Sequence, residues 1–257
     1  RLEGVCDPEE QTKQLFKGIT KRQVNRYAYQ PGPLAEDDLA ALKKAAAQEG
    51  AWLHICTPTQ RKTLLSMILE ADQIQNTNKH FRREIASWLH VSRLISGDGM
   101  PQSYLSTDDI IRDNAPLAVR RYVIDGNRAA SDSEMDRGCP VLAVLGSVSG
   151  SSDNRIKAGR AYMRVLLTAE ARGIASSTLN QPCQVPETRL KIYDELGLQG
   201  RAQMVLRLGY PKHKPTQAPR RPFDSVLMQE ADIPKMPTAL TIETMANQSG
   251  ITNWMKD

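Results

Sequence analysis

An uninterrupted apolar run from Cys139 to Gly146 constrains the fold of this chain more than any other segment. A run of this length, followed by Gly and Ser, is typical of a strand buried on both faces. A second segment, from Ala202 to Tyr210, also predicts a strand.

Helical spacing predicts a long amphipathic helix between the two strands, capped by Asp153 or Asn154 and ended at Gly173. A further helix is predicted from Pro186 to Leu196. The residues between Gly173 and Pro186 are rich in Ser, Thr, Asn and Pro, and they are expected to form a loop.

The first half of the chain is predicted to be mainly helical. The predicted helices are Gln11 to Gln23, Glu36 to Glu49 with Gly50 as its stop, and Pro58 to His90 with a break near Asn76, and the one short strand is Ala51 to Cys56. From Ser96 to Asp132 the periodicity is weak, and this length of loop is usually either a functional lid or poorly ordered.

Composition excludes several classes of protein. The chain has 257 residues, 40% of them apolar and 25% charged, as expected of a globular protein. Its net charge is +5, which raises a nucleic-acid hypothesis, but the basic residues are interleaved with 29 acids and only 5% of residues are aromatic. The charge therefore suits a small anionic ligand better, and no nucleic-acid partner is expected.

The chain has no apolar run long enough for a membrane span and no signal-like start, so we expect a cytoplasmic protein without a membrane partner. It begins at Arg1 rather than at Met, which suggests that an N-terminal part, with any export signal, has been removed. The cysteines Cys6, Cys56, Cys139 and Cys183 lie far apart without metal-ligand spacing. They are expected to be free thiols, and no metal site is predicted.

Four segments carry a resemblance when they are taken in order. They are Ala158-Gly159-Arg160, the small-residue run from Gly173 to Pro182, the strand end from Leu206 to Pro211, and Pro219 to Phe223. Together they resemble the nitroreductase superfamily, and more closely its Acg-like branch of flavin-binding proteins. Upstream, Gly18 to Tyr29 stands where that superfamily has an Arg-x-Ser-x-Arg signature.

The resemblance implies an α+β fold with a mixed central β-sheet flanked by helices. It implies one flavin-binding domain over residues 1–227, with a possible lid at 96–132 and a C-terminal arm at 228–257. FMN would be the cofactor and NAD(P)H the electron donor. Nitroreductases pair as homodimers, whereas Acg-like chains form an internal pseudo-dimer, so this chain is expected to dimerise or to pair with a missing N-terminal half.

The resemblance also implies the site residues. Guanidinium groups bind phosphate with paired hydrogen bonds, and backbone N–H groups stabilise the negative charge that reduction places on a flavin ring. The implied cofactor-binding residues are Arg22, Arg26, Ser176, Ser177, Thr178, Leu179, Asn180, Arg220 and Arg221. Arg22 and Arg26 would reach from one face if the helix continues to them. Without the resemblance, Arg22 and Arg26 would be interpreted as solvent-exposed charges on a helix. Ser176–Asn180 would be interpreted as a loop between helices without a binding role.

The sequence departs from the family pattern at three points. Val24 stands at the central serine of the first signature, which removes a phosphate hydrogen bond. Ala218 and Pro219 precede Arg220 where a basic residue is normal, leaving the cluster Lys212-His213-Lys214 as a substitute. The Ala-Pro-Ser-x-x-Asn-x-Gln-Pro-Trp segment that contacts the flavin in the family is absent.

Three functions remain open from the sequence. The first is an FMN-dependent oxidoreductase that passes electrons from NAD(P)H to a nitro, quinone or similar acceptor, with no side chain acting as a catalytic acid or base. The second is a flavin-binding or flavin-sequestering stress protein without turnover, its flavin covered by a lid. The third is a basic interaction protein, which a steep salt dependence of DNA binding would support.

Overall fold

The computed structural model of the protein describes residues 7–25, 29–90, 99–101, 140–212 and 221–227. Contacts divide the chain into two compact units, one of Arg1–Arg83 with Val119–Ala218 and the other of Glu84–Ala118 with Pro219–Asp257. The described part of the second unit holds a two-stranded parallel pairing, Leu89–His90 with Met100–Pro101, and a short 3-10 helix, Phe223–Ser225. The candidate site described below lies in the first unit.

The helices and strands are numbered here in chain order. They are α1 Glu10–Lys21, α2 Glu36–Ala47, β1 Trp52–Ile55, α3 Pro58–Thr77, α4 Lys79–Trp88, β2 Leu89–His90, β3 Met100–Pro101, β4 Val141–Ser147, α5 Ser152–Ala171, β5 Ala175–Thr178, α6 Gln181–Gln184, α7 Pro186–Leu196 and β6 Arg201–Gly209.

The first unit is built on a four-stranded sheet in the order β1-β4-β6-β5. Every residue of β4 is buried, as its apolar run predicts. The four strands pair antiparallel, and among the described residues an isolated bridge between Val24 and Ser176 is the one parallel pairing at this sheet. The predicted α+β fold is confirmed. The predicted mixture of parallel and antiparallel pairing is found, among the described residues, only as that bridge.

Alternate residues of the central strands feed two cores, one on each face of the sheet. Leu145 and Leu206 belong to the core that includes residues of α2 and α5. Val144 and Val205 belong to the core that includes residues of α3 and α7. Helices cover both faces, and β1 and β5 are the edge strands of this sheet.

Most of the predicted elements are found, with three corrections. The segment after Gly173 forms strand β5 where a loop was predicted, because its backbone pairs with β6 from Ala175 to Thr178. Ser151, not Asp153 or Asn154, caps α5, since its hydroxyl accepts the Asn154 N–H at 3.3 Å. The predicted helix to His90 stops at Trp88, where the chain enters β2.

Two predicted segments fall outside the described residues. The proposed lid, 96–132, is described only at residues 99–101, and the proposed arm, 228–257, is not described. The domain boundary at residue 227 therefore stays a prediction. In the described part of the chain, no helix has the length and apolar character needed to cross a membrane.

An ionic cluster joins α2, α5 and β6 at one end of the unit. Asp38 accepts a hydrogen bond from Tyr210 Oη at 2.5 Å and forms an ion pair with Arg172 Nη1 at 2.6 Å. These partners hold the pKa of the Asp38 carboxyl below its usual value, chiefly through Tyr210, although burial opposes the shift. The same hydrogen bond raises the pKa of Tyr210.

We predict that Tyr210→Phe lowers the melting temperature at neutral pH and that the loss disappears in strong acid. The pKa of Asp38 is lower in the folded state, so its stabilising effect is full above about pH 4 and is lost as the pH falls through the folded value. The pKa of Tyr210 is raised, so its contribution is lost only in strong alkali. Thermal unfolding of both proteins between about pH 2 and pH 8 measures the difference. A loss of equal size at every pH would contradict the assignment.

Candidate functional site

Strand β5 and the two residues after it, 175–180, form what we call the β5 edge. On one side Ser177 pairs with Arg207 and Thr178 with Leu206 of β6. On the other side the only described backbone neighbour is the segment around Val24, where the Asn25 N–H donates to the Ser176 carbonyl at 2.8 Å. Among the described residues, the edge is thus covered at Ser176 and has no further backbone partner beyond it.

The far end of the β5 edge is fixed by hydrogen bonds to β6. Leu179 N–H donates to the Val205 carbonyl at 3.0 Å, and Asn180 Oδ1 accepts the Val205 N–H at 3.2 Å. In an antiparallel ladder, alternate N–H groups point to opposite sides of the strand. Thr178 therefore directs its N–H away from β6, and its side chain is exposed. The Thr178 N–H is thus a backbone donor that β6 does not use.

The two serines of the β5 edge face inward. Ser176 and Ser177 are only 4% and 7% exposed. Ser177 Oγ accepts a hydrogen bond from Arg207 Nε at 2.9 Å and lies 3.4 Å from Tyr29 Oη. The Ser177 hydroxyl thus helps to hold the strand in place, and Thr178 is the exposed side chain that follows it.

The condition for Arg22 and Arg26 to lie on one helix face, that the helix continues to them, is not met. Helix α1 ends at Lys21, and Arg22 has the extended ψ of 127°. The chain leaves the helix there because Val24 pairs with the sheet at Ser176. Arg22 is half-buried, and its charge acts on Tyr162 of α5, where it opposes part of the rise in pKa that burial causes.

The other predicted phosphate ligands are not brought together in the described residues. Arg26, Arg220, His213 and Lys214 lie outside them. Arg221 is exposed and belongs to the second compact unit. That Arg22, Arg26, Arg220 and Arg221 bind one phosphate together stays a prediction.

The structure adds residues that the sequence analysis missed. Tyr29 and Asn25 are 3% and 0% exposed, and the Arg207 guanidinium lies 4.9 Å from the centre of the Tyr29 ring. Arg207 Nη2 also donates to the Asn25 carbonyl at 3.2 Å. One signal was present in the sequence, since an arginine between Leu206 and Leu208 interrupts an apolar strand and needs polar partners.

The thiols and metal ligands offer no competing centre within the described ranges. Cys183 is buried, and burial raises the pKa of its thiol to about 12, which makes it unreactive. Cys56 is half-buried. No group of three or more His, Cys, Asp or Glu side chains in the described residues is arranged to hold a metal ion.

Comparison with known proteins identifies the fold. The chain is 29% identical over 205 residues to a Mycobacterium tuberculosis protein named "Putative NAD(P)H nitroreductase", covering 79% of this chain and 57% of that protein. It is 26% identical over 196 residues to an uncharacterized protein of the same organism, covering 73% of this chain and 54% of the relative. The chain thus spans little more than half the length of these relatives. No family model matches the sequence.

Two solved structures share the architecture. The FMN-dependent nitroreductase NfnB of Mycobacterium smegmatis, solved with NADPH, superposes with a TM-score of 0.50 at 14% identity, covering 85% of this chain and 99% of NfnB. NfrA2 of B. megaterium gives a TM-score of 0.50 at 13% identity, covering 95% of this chain and 86% of its own. The chain has the α+β fold of these nitroreductases.

Proposed function

We propose that this protein is an FMN-dependent oxidoreductase of nitroreductase type, which passes electrons from NAD(P)H to a nitro, quinone or similar acceptor. The observation that carries the proposal is the β5 edge, a fixed strand end that presents the Thr178 N–H beside Leu179 and Asn180. The name of the M. tuberculosis relative and the cofactors of NfnB support the choice of FMN and NAD(P)H. The Acg-like assignment stays a prediction.

The described residues fit one edge of a flavin ring. The ring edge carries hydrogen-bond acceptors next to an N–H donor, and it therefore needs both kinds of partner. Thr178 supplies a backbone donor, and the side-chain oxygen of Gln181 is a buried acceptor without a hydrogen-bond partner in the described part of the chain. Such an acceptor is costly to leave unsatisfied, and a ligand donor would satisfy it.

The residues of this chain have separate roles in the proposed reaction. Bound FMN supplies the redox chemistry, since its ring accepts hydride and releases electrons. The β5 edge would orient the ring, with Thr178 N–H placed to stabilise negative charge at the ring edge and half-buried Leu179 offering an apolar surface. Arg22 would bind the phosphate. Arg26, Arg220 and Arg221 stay phosphate ligands predicted from the family resemblance alone.

The test is the absorption spectrum of the purified chain after addition of FMN and removal of unbound flavin. We expect flavin bands to stay with the protein and to bleach on addition of NAD(P)H, then to return when a nitroaromatic or quinone is added. Bands that stay but do not bleach would favour the flavin-sequestering alternative. If no flavin is retained, both flavin functions are wrong for this chain.

We propose that the protein forms a homodimer through an apolar surface on α1 and α5. These helices pack together where the Gly18 backbone approaches Leu167. They expose four large apolar side chains, Phe16 at 74%, Ile19 at 54%, Ile156 at 65% and Met163 at 44%. Exposed apolar groups on neighbouring helices are typical of a protein interface.

We predict that the double substitution Phe16→Lys with Met163→Lys converts a dimer to a monomer. Two charges in a closed apolar interface cost more than a dimer of ordinary size tolerates. Light scattering after size exclusion should then give the mass of one chain, 28.6 kDa, for the double variant. The unsubstituted protein should give twice that mass. Leu190→Lys on α7 is the control, since Leu190 is 57% exposed and lies on another helix. An unchanged mass in the double variant would place the interface elsewhere.

A further inference from the structure

Arg207 is a charged residue in the middle of an apolar strand, and its position is determined by the packing around it. It stands directly opposite Ser177 in the pairing of β5 with β6. Its guanidinium lies over the buried Tyr29 ring at 4.9 Å, and its Nε donates to Ser177 Oγ at 2.9 Å. Stacking and this hydrogen bond limit the rotamers of the side chain, so the charge is held in place before any ligand arrives.

The charge of Arg207 is not balanced by a carboxylate in the described residues. A guanidinium has five N–H donors. Here two of them are used, by Ser177 Oγ and by the Asn25 carbonyl at 3.2 Å, and both acceptors are neutral. No ion pair involving Arg207 is found within the described ranges, although the side chain is only partly exposed. Partly buried cations are usually paired, so this group is suited to bind an anion.

The location of Arg207 links it to the first signature. Asn25, whose carbonyl it binds, directly follows Val24, the residue that stands at the signature's serine. The same short segment contacts the β5 edge through the Asn25 N–H to Ser176 hydrogen bond. Arg207 therefore lies between the segment expected to bind phosphate and the strand expected to bind the ring.

We propose that Arg207 is a phosphate-binding residue of the flavin site and compensates for the hydrogen bond lost at Val24. This inference rests on the proposed function. The remaining N–H donors of a guanidinium suit a dianionic phosphate, which accepts several charge-assisted hydrogen bonds. Arg207 thereby makes the site selective for FMN over riboflavin, which has the same ring and no phosphate.

The test compares the dissociation constants of FMN and riboflavin, measured by quenching of flavin fluorescence. We expect Arg207→Gln to weaken FMN binding by about 10-fold to 100-fold, as loss of a charge-assisted hydrogen bond predicts, and to leave riboflavin binding within about 2-fold. Arg207→Lys keeps the charge and should recover part of the preference. Arg201→Gln, at the other end of β6, is the matched control and should keep the preference intact.

A second measurement uses no flavin. Inorganic phosphate at millimolar concentration should raise the melting temperature of the unsubstituted chain and of Arg201→Gln, but not that of Arg207→Gln. If Arg207→Gln weakens FMN and riboflavin equally, or leaves both unchanged, Arg207 only supports the strand and the inference is wrong while the proposed function stands. If the unsubstituted chain binds neither flavin, the proposed function itself fails, and the inference fails with it.

Discussion

Gly146→Ala is expected to lower the free energy of unfolding by about 1–3 kcal/mol or more, because the added methyl group has no space. A Cβ at this position would lie 2.1 Å from the Trp52 ring and 2.6 Å from the Arg201 carbonyl. The pairing of β4 with β6 shifts register between Leu145 and Gly146, so the glycine is also where the sheet bends. Chemical denaturation measures the loss.

The matched control for that prediction is Gly159→Ala in the middle of α5. A Cβ at Gly159 meets nothing within 4 Å, and alanine favours a helix by about 0.8–1.0 kcal/mol over glycine. This variant should therefore be more stable than the unsubstituted protein. Combining Gly146→Ala with Trp52→Ala should not restore stability, because the Arg201 carbonyl remains in the way. Equal stability of the two Gly→Ala variants would contradict the packing described here.

Asn180→Asp is expected to lower the midpoint potential of bound FMN by about 30 mV or more, which corresponds to about 10-fold weaker binding of two-electron-reduced flavin. The substitution keeps the shape of the side chain and the acceptor for the Val205 N–H, so the strand end should stay in place. It adds a negative charge beside the proposed ring edge, and this charge opposes the electrons that reduction adds. Spectroelectrochemical titration of the FMN-loaded protein gives the potential.

Asn180→Ala separates the electrostatic effect from a structural one. Alanine leaves the Val205 N–H without its acceptor, and we expect a loss of about 1–3 kcal/mol in the free energy of unfolding. The potential of any bound flavin should change less than in Asn180→Asp. An unaltered potential in the aspartate variant, with FMN still bound, would remove Asn180 from the proposed ring edge.

The family resemblance selected the candidate segment, but the sequence did not predict the conformation of that segment. Apolar residues and helical spacing were enough to predict β4, β6, α3 and α7. A buried strand is rich in consecutive apolar residues, and a helix buried on one side has apolar residues at helical spacing. The segment Ser176–Asn180 was selected through the family resemblance, but it was expected to be a loop. Its strand conformation depends on pairing with β6, which lies more than twenty residues later in the chain, and local composition does not encode that partner.

The sequence also did not predict the end of α1 or the contacts of Arg207, because both depend on partners that are distant in the chain. Helical spacing continues past Lys21, yet the chain turns to extended conformation because Val24 finds a backbone partner at Ser176. In the sequence, Arg207 is not distinguished from the other basic residues. Its partners Ser177, Tyr29 and Asn25 come from distant parts of the chain and contact it only in the folded protein.

The apolar run Cys139–Gly146 by itself predicted a strand buried on both faces, and helical spacing predicted the helices, since the free energy of burial depends on residue type and spacing. Only the tertiary structure decided which backbone donors face outward at β5 and which guanidinium is left without a carboxylate among the described residues. Those properties depend on hydrogen-bond partners far apart in the sequence, and a partner is fixed only when the chain folds.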